Sequence, residues 1–327
     1  MSKRLSETYR EYFPIGAAVT PVSIDTHKEL LVGHFSSLTA ENQMKPGILH
    51  PSEHIYNFEQ GDVIADFALQ NHMLLRGHTL VWHNQTPEWF FKDGGKAASR
   101  TLALKRMKEH IYTVMGHYKG RTCAWDVVNE AIADQAEGPA LRQAPWLTAV
   151  GGDYIEHAFR YAREADSTAK LFYNDYNECD PVKSKKIYEL VKSLLERGVP
   201  VDGIGMQGHW NIYVPELDKI RRAIELYASL GISLQITELD ISLFRFDDGT
   251  AYEKAPAELI ELQAERYGRI FELLREYKAL FTGITFWGIA DDDTWLSYFP
   301  FRDRKNWPLL FDDQHRQKKS FENITNF

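Results

Sequence analysis

Short apolar runs alternate along the chain with longer stretches whose apolar residues recur every three to four positions. The first pattern suits strands buried on both faces, the second helices with one buried stripe. Strands are predicted over Ile15–Val19, Ser37–Glu41, Met73–His78, Cys123–Asn129, Leu171–Asn174, Gly203–Gln207, Leu234–Glu238 and Ile284–Trp287. Helices are predicted over Val63–Asn71, Arg100–Tyr118, Tyr154–Glu164, Ser184–Arg197, Lys219–Leu230 and Pro256–Tyr277. In the helix after the fifth strand, Ile187, Leu190, Val191, Leu194 and Leu195 form the stripe. Gly198-Val199-Pro200 then ends it, glycine on the C-cap side and proline soon after.

Strand followed by helix, repeated along the whole chain, is the signature of a parallel α/β fold. A length of 327 residues alone suggests about two domains. No Gly/Ser/Pro-rich linker divides the sequence, however, and no low-complexity tract interrupts it. The reading is therefore one domain over residues 1–327, a (β/α)8 TIM barrel, with a doubly wound sheet as the alternative.

A barrel of this kind carries its functional groups at the C-terminal ends of its strands. Those ends read Glu41-Asn42, His78, Trp82-His83, Asn129-Glu130, Asn174-Asp175, Gln207 with His209, Glu238 with Asp240, and Trp287. Polar, ionisable and indole side chains gathered at one end describe a cleft floored by carboxylates and walled by tryptophan.

Composition narrows what such a cleft takes. Basic residues number 38 and acidic ones 46, a net charge of −8, which on average repels a polyanion such as DNA. The basic runs Lys183-Ser184-Lys185-Lys186 and Lys318-Lys319 are short and read as solvated helix faces. No apolar run reaches the ~18 residues of a membrane span. Aromatics make up 13%, with 8 Trp and 16 Tyr, flat faces with one polar atom each, suited to sugar rings. Two cysteines, Cys123 and Cys179, cannot build a disulfide framework and read as packing residues. The polar N-terminal segment lacks the apolar stretch of a signal peptide, so a cytoplasmic location is expected.

Glu130 and Glu238 project from the fourth and seventh strands, roughly across the barrel from each other. Two carboxyls facing over a pocket are what glycosidic cleavage needs, one protonated and one ionised. Asp240 shares pleat parity with Glu238 and His209 follows the neighbouring strand, so a Glu–His–Asp chain can keep Glu238 ionised. Asn129 has the wrong parity to face inward beside Glu130 unless a bulge or the strand's end re-aims the pair.

Other patterns carry less. Gly203-Ile204-Gly205-Met206-Gln207-Gly208 fits a dinucleotide fingerprint letter by letter, but its glycines lie in and just after a strand instead of opening a helix. His78 and His83 are five apart across a strand end, unlike the i, i+4 pair of a helical zinc site. Asp291-Asp292-Asp293 could attract a cation, but reads better as a solvated loop. No metal and no cofactor is called for.

Together these motifs resemble glycoside hydrolase family 10, the (β/α)8 endo-β-1,4-xylanases, from about Phe13 to Asp312. The resemblance rests on Glu41-Asn42-x-Met44-Lys45-Pro46, on Gly77-His78-Thr79-Leu80-x-Trp82-His83-x-Gln85, and on Asp126-Val127-Val128-Asn129-Glu130. Tyr173-Asn174-Asp175-Tyr176-Asn177, Gln207-Gly208-His209, Ile236-Thr237-Glu238-Leu239-Asp240, Phe286-Trp287-Gly288 and Pro308-Leu309-Leu310-Phe311-Asp312 continue it in order.

The resemblance implies that Glu130 is the acid/base and Glu238 the nucleophile of a retaining reaction. It implies further that Glu41, Asn42, Lys45, His78, Trp82 and Gln85 line the glycone side, with Asn129 on a sugar 2-hydroxyl. Gln207, His209 and Asp240 would support the nucleophile, and Trp287 and Trp295 would close over the bound sugars. Tyr173, Asn174 and Tyr176 belong on or near the aglycone side. The family often has Arg after the second Trp, whereas Leu296 follows Trp295 here, which bears on the closing loop. The implied substrate is xylan or short xylo-oligosaccharides, with no nucleic acid or membrane partner. A β-1,4-glucan hydrolase, a metal-dependent barrel hydrolase and a non-catalytic sugar binder are the alternatives.

Overall fold

The computed structural model describes residues 3–327. Its eight principal parallel strands are β1 (Ile15–Val19), β2 (Ser37–Ala40), β3 (Leu74–Trp82), β4 (Ala124–Asn129), β5 (Lys170–Asp175), β6 (Gly203–Met206), β7 (Ser233–Ser242) and β8 (Phe281–Phe286). Each pairs with the next, and β8 also pairs with β1, so the sheet closes into a barrel. Ile284 is the seam, opposite Ile236 on one side and Ile15 on the other. Closure decides for the TIM barrel over the doubly wound sheet, whose edges stay open.

The major helices run outside the barrel over Glu59–Gln70, Arg100–His117, Tyr154–Ala165, Pro181–Glu196, Leu217–Ala228 and Ala257–Glu276. The helix expected from Ser184 begins a turn earlier, at Pro181. Asp180 caps it by accepting from the Val182 and Lys183 amides, and proline takes the first helical position. Its stripe packs inward through Ile187, Val191 and Leu194, and Gly198 turns the chain out of it at φ +65°. The helix expected from Val63 likewise gains an acidic first turn with Glu59 and Asp62, favourable at a helix N-terminus.

Two strands outrun their sequence limits. β3, expected to stop at His78, continues to Trp82, because a register shift lets Val81 and Trp82 pair with Val128 and Asn129. β7, expected to stop at Glu238, continues to Ser242, because Asp240–Ser242 find a partner in the short strand His209–Asn211. These extensions raise Trp82 and Asp240 over the mouth of the barrel.

Charges inside the fold depart from the expected pattern. Arg76 and Asp126 pair at 2.6 Å within the barrel, with Arg76 Nε also donating to Gln235 Oε1 at 2.5 Å. Lys183, expected on a solvated face, is buried between Asp175 (2.9 Å) and Asp134 (2.7 Å). Lys318 is buried on Asp291 at 2.8 Å, so Asp291 does not belong to a solvated loop either, although Asp292 does. A run of like charges fixes sign but not which member a helix or loop turns toward an acidic partner.

The fingerprint-like glycines serve packing. A Cβ on Gly203 would lie 2.3 Å from the Phe172 ring, and one on Gly205 would lie 2.3 Å from Asn174 Oδ1. Cys123 and Cys179 are unpaired, and burial pushes both thiols up, away from the thiolate. Among the described residues no helix is long and apolar enough to cross a membrane.

Candidate active site

The C-terminal strand ends converge on a cleft of about 1070 Å³. Glu41, Asn42 and Lys45 from the loop after β2, and His78 and Trp82 of β3, line one part of it. Asn129, Glu130, Tyr176, Gln207, His209, Glu238, Asp240, Trp287 and Trp295 are among the residues that line the rest.

Local backbone explains how Asn129 and Glu130 both serve the cleft. β4 ends at Asn129, after a register shift against β5 between Asp126 and Val128. Glu130 then adopts φ +57°, a left-handed conformation unusual for a residue with a Cβ. Its amide donates to the Asn174 carbonyl at 2.9 Å, and its own carbonyl accepts from Arg142 Nε at 3.1 Å. The anticipated parity conflict is thus resolved by ending the strand, with both peptide groups tied down.

The two carboxyls experience opposite surroundings. Glu130 accepts from two uncharged donors, Trp82 Nε1 at 2.8 Å and Gln207 Nε2 at 3.0 Å. Burial pushes its pKa up, and the charges of Asp175 and Glu238 add to that, against the two hydrogen bonds. Burial also pushes Glu238 up, but the hydrogen bond from His209, the nearby histidine charges and the Asn174 amide outweigh it, leaving Glu238 at about 2. Asn174 Nδ2 donates to its Oε1 at 2.8 Å, and His209 Nε2 lies 3.0 Å from its Oε2.

His209 Nδ1 stands 2.9 Å from Asp240 Oδ2, completing the Glu–His–Asp chain. Burial opposes charge on this ring, yet Asp240 and Glu238 prevail and push it up to about 10. A protonated imidazole therefore sits between two carboxylates. Trp295 donates to the same Asp240 oxygen at 2.8 Å, which fixes the indole over the mouth.

At the other wall Lys45 Nζ donates to Asn42 Oδ1 at 2.9 Å and lies 5.0 Å from the Trp82 ring centre. Burial pushes Lys45 down and Glu41 up, the latter helped by the charge of Asp293. His78 is held by Asp126 at 2.9 Å and meets the Trp287 ring edge-on at 5.3 Å. Leu296, in place of the expected arginine, is buried and turned into the lining of the cleft.

Three expected sugar contacts fall elsewhere. Tyr173 is wholly buried, its hydroxyl taking the Ala131 and Ile132 amides and donating to Asp175 at 2.5 Å. Strand alternation explains it: Asn174, one residue on, faces the carboxylates. Gln85 is exposed and outside the cleft lining, at a φ of +47° that turns the chain away after Trp82. Asn174 itself is buried beneath Glu238, so it touches the carboxylate instead of lining an aglycone wall.

The structure also adds residues. Asp134 accepts from Lys183 Nζ (2.7 Å), Tyr176 OH (2.5 Å) and Arg142 Nη2 (2.9 Å), and with Tyr176 it forms the wall beside Glu130. His83 has Nδ1 3.9 Å from Glu130 Oε2, and burial lowers it to about 4, so it stands neutral there. His83 lies in the sequence motif that runs from Gly77 to Gln85. Asp134, Arg142 and Lys183 lay in loops and a helix start, where no periodicity marks direction.

Residues 4–327 match the model of glycosyl hydrolase family 10. The chain is 54% identical to endo-1,4-beta-xylanase B of Paenibacillus barcinonensis, covering 98% of this chain and 97% of that one. It is 52% identical to an endo-1,4-beta-xylanase of Geobacillus stearothermophilus, covering 98% of both. A solved mutant structure in complex with xylotriose superposes with a TM-score of 0.98 at 49% identity, covering 100% of each chain.

Proposed function

The chain belongs to glycosyl hydrolase family 10, and from that premise we propose that it acts as a retaining endo-1,4-β-xylanase. Glu238 attacks the anomeric carbon, the C1–O bond breaks, and Glu130 gives its proton to the departing oxygen. Water then attacks C1 of the glycosyl-enzyme, Glu130 takes its proton, and Glu238 leaves. The observation that carries this reading is the opposite tuning of the two carboxyls. Glu238 sits at about 2 and is ionised as a nucleophile must be, while Glu130 is held up as an acid must be. Esterification of Glu238 removes one of the charges that raise Glu130, easing its change from acid to base.

In the same reading Glu41, Asn42, Lys45 and His78 bond glycone hydroxyls, and Asn129 takes the 2-hydroxyl at the cleavage point. Trp287 and Trp295 offer faces to the pyranose rings, and Tyr176 walls the aglycone side. The substrates are neutral xylo-oligosaccharides, as in the relative bound to xylotriose. One catalytic unit over residues 1–327 performs the reaction. A cytoplasmic site of action is supported by the two unpaired thiols.

Proton NMR of the xylobiose first formed from an aryl β-xylobioside tests the mechanism. The β-anomer is expected first, and an α-anomer first would overturn double displacement. On the same leaving group kcat/KM for the xylobioside should exceed that for the cellobioside by at least ~10-fold. Equal or reversed values would transfer the assignment to β-1,4-glucans.

A further inference from the structure

Outside the cleft, three residues far apart in sequence meet: His27, Asp292 and His315, whose donor atoms all lie within 4.8 Å of one another. His27 Nε2 is 3.1 Å from Asp292 Oδ1, and His315 Nε2 is 3.2 Å from Asp292 Oδ2. The two imidazoles overlap with ring centres 4.3 Å apart.

Hydrogen-bond geometry around His27 suits a metal-ligating tautomer. Thr26 Oγ1 lies 3.1 Å from the Val22 carbonyl, to which its hydroxyl can donate, and 2.8 Å from His27 Nδ1. In the tautomer with the ring proton on Nδ1, the lone pair of Nε2 faces Asp292 Oδ1 at 3.1 Å, in a side chain only 3% exposed. One divalent ion placed there satisfies the two imidazole lone pairs and the carboxylate together.

We propose that His27, Asp292 and His315 bind one divalent transition-metal ion of the zinc class. Two imidazoles and a carboxylate are a donor set zinc accepts at about 2.0–2.2 Å, which in a tetrahedron puts neighbouring donors ~3.3 Å apart. Each histidine nitrogen faces a different oxygen of Asp292, at 3.1 and 3.2 Å, so a small rotation of the carboxylate brings one oxygen to that edge from both. In the ligating tautomer the Nδ1–H of His27 donates to Thr26 Oγ1, the outer hydrogen bond that a metal-bound imidazole makes. Asp292 and His315 are about one-third exposed, at 37% and 35%, giving the ion an entry path and a water as fourth ligand.

The position gives the ion a purpose. His27 joins the two short helices after β1, Asp292 lies in the loop after β8 between Trp287 and Trp295, and His315 lies in the turn joining the paired residues Phe311 and Gln317. Binding there staples the closing loop of the cleft to two neighbouring segments.

Isothermal titration of the tag-free protein with zinc chloride after chelator treatment tests this directly. One saturable site is expected, with cobalt giving a visible d–d spectrum at the same stoichiometry. At a hundred-fold excess over Kd, zinc should raise Tm by about 3–6 °C, reversibly with EDTA, while magnesium leaves it unchanged. His315→Gly should weaken zinc at least ~10-fold and abolish the Tm shift. Its backbone is at ease there, since His315 has φ +62°. His27→Ala should do the same, and neither change should alter kcat on an aryl xylobioside. Absence of saturable binding, or zinc binding in both variants as tight as in the unaltered protein, would overturn the proposal in favour of a hydrogen-bonded histidine–carboxylate bridge.

Discussion

The two sides of the cleft solve opposite electrostatic problems with different means. On the β7 side, Glu238 is surrounded by charge: His209 bonds it directly, Asp240 holds His209, and Trp295 holds Asp240. On the β4 side, Glu130 receives only the neutral Trp82 and Gln207, while the charged groups Asp134, Arg142 and Lys183 bond the wall and backbone around it. A charged partner bonded directly to a carboxyl lowers it strongly, as His209 does Glu238, whereas Glu130, bonded to neutral donors, is left raised by burial. The same barrel thus separates two like groups by routing its cations to one of them and away from the other.

The sharpest way to break the comparison is to remove each carboxyl in turn. Glu238→Ala should lower kcat by roughly 10⁴-fold or more, and Glu130→Ala by ~10²–10⁴-fold on unactivated xylo-oligosaccharides. With azide and an activated aryl substrate, the first variant should give the inverted α-glycosyl azide and the second the retained β-product. The same anomer from both would mean that the two sides do not divide the chemistry.

Next in size is the frame beside Glu130. Lys183→Met leaves Asp175 buried without its cation, and should cost about 3–5 kcal/mol in urea unfolding. A loss under ~1 kcal/mol would show that the frame does not depend on this lysine.

The smallest effect probes the charge relay. Asp240→Asn weakens the protonation of His209, so the pKa of Glu238 should rise from about 2. Because a nucleophile must be ionised, the acid limb of kcat/KM against pH should move to higher pH, with the loss confined to acidic pH and little change at neutrality. An unmoved acid limb would detach the ionisation of Glu238 from Asp240.

The parity of Glu238 and Asp240 is readable in a strand because side chains alternate strictly, and His209 follows from the adjacent strand end. The same rule, had it been applied to Tyr173 and Asn174, separates a buried hydroxyl from an amide under the carboxylate. Lys183 and Lys318 resisted such reading. Each lies in a run of lysines, and only the fold shows which one meets Asp175 or Asp291. Nor does sequence reveal that His27, Asp292 and His315 meet, since they come from three loops with no common period.

The sequence by itself determined the alternation of strands and helices, the end of the barrel on which the cleft opens, and the two glutamates that end its fourth and seventh strands. These follow from local periodicity and from residue types at strand ends, both carried by neighbouring positions. Only the tertiary structure decided the closure at Ile284, the left-handed turn that aims Glu130, and the partner of each buried charge. Those depend on which segments meet in space, where desolvation and pairing, not propensity, set the energy.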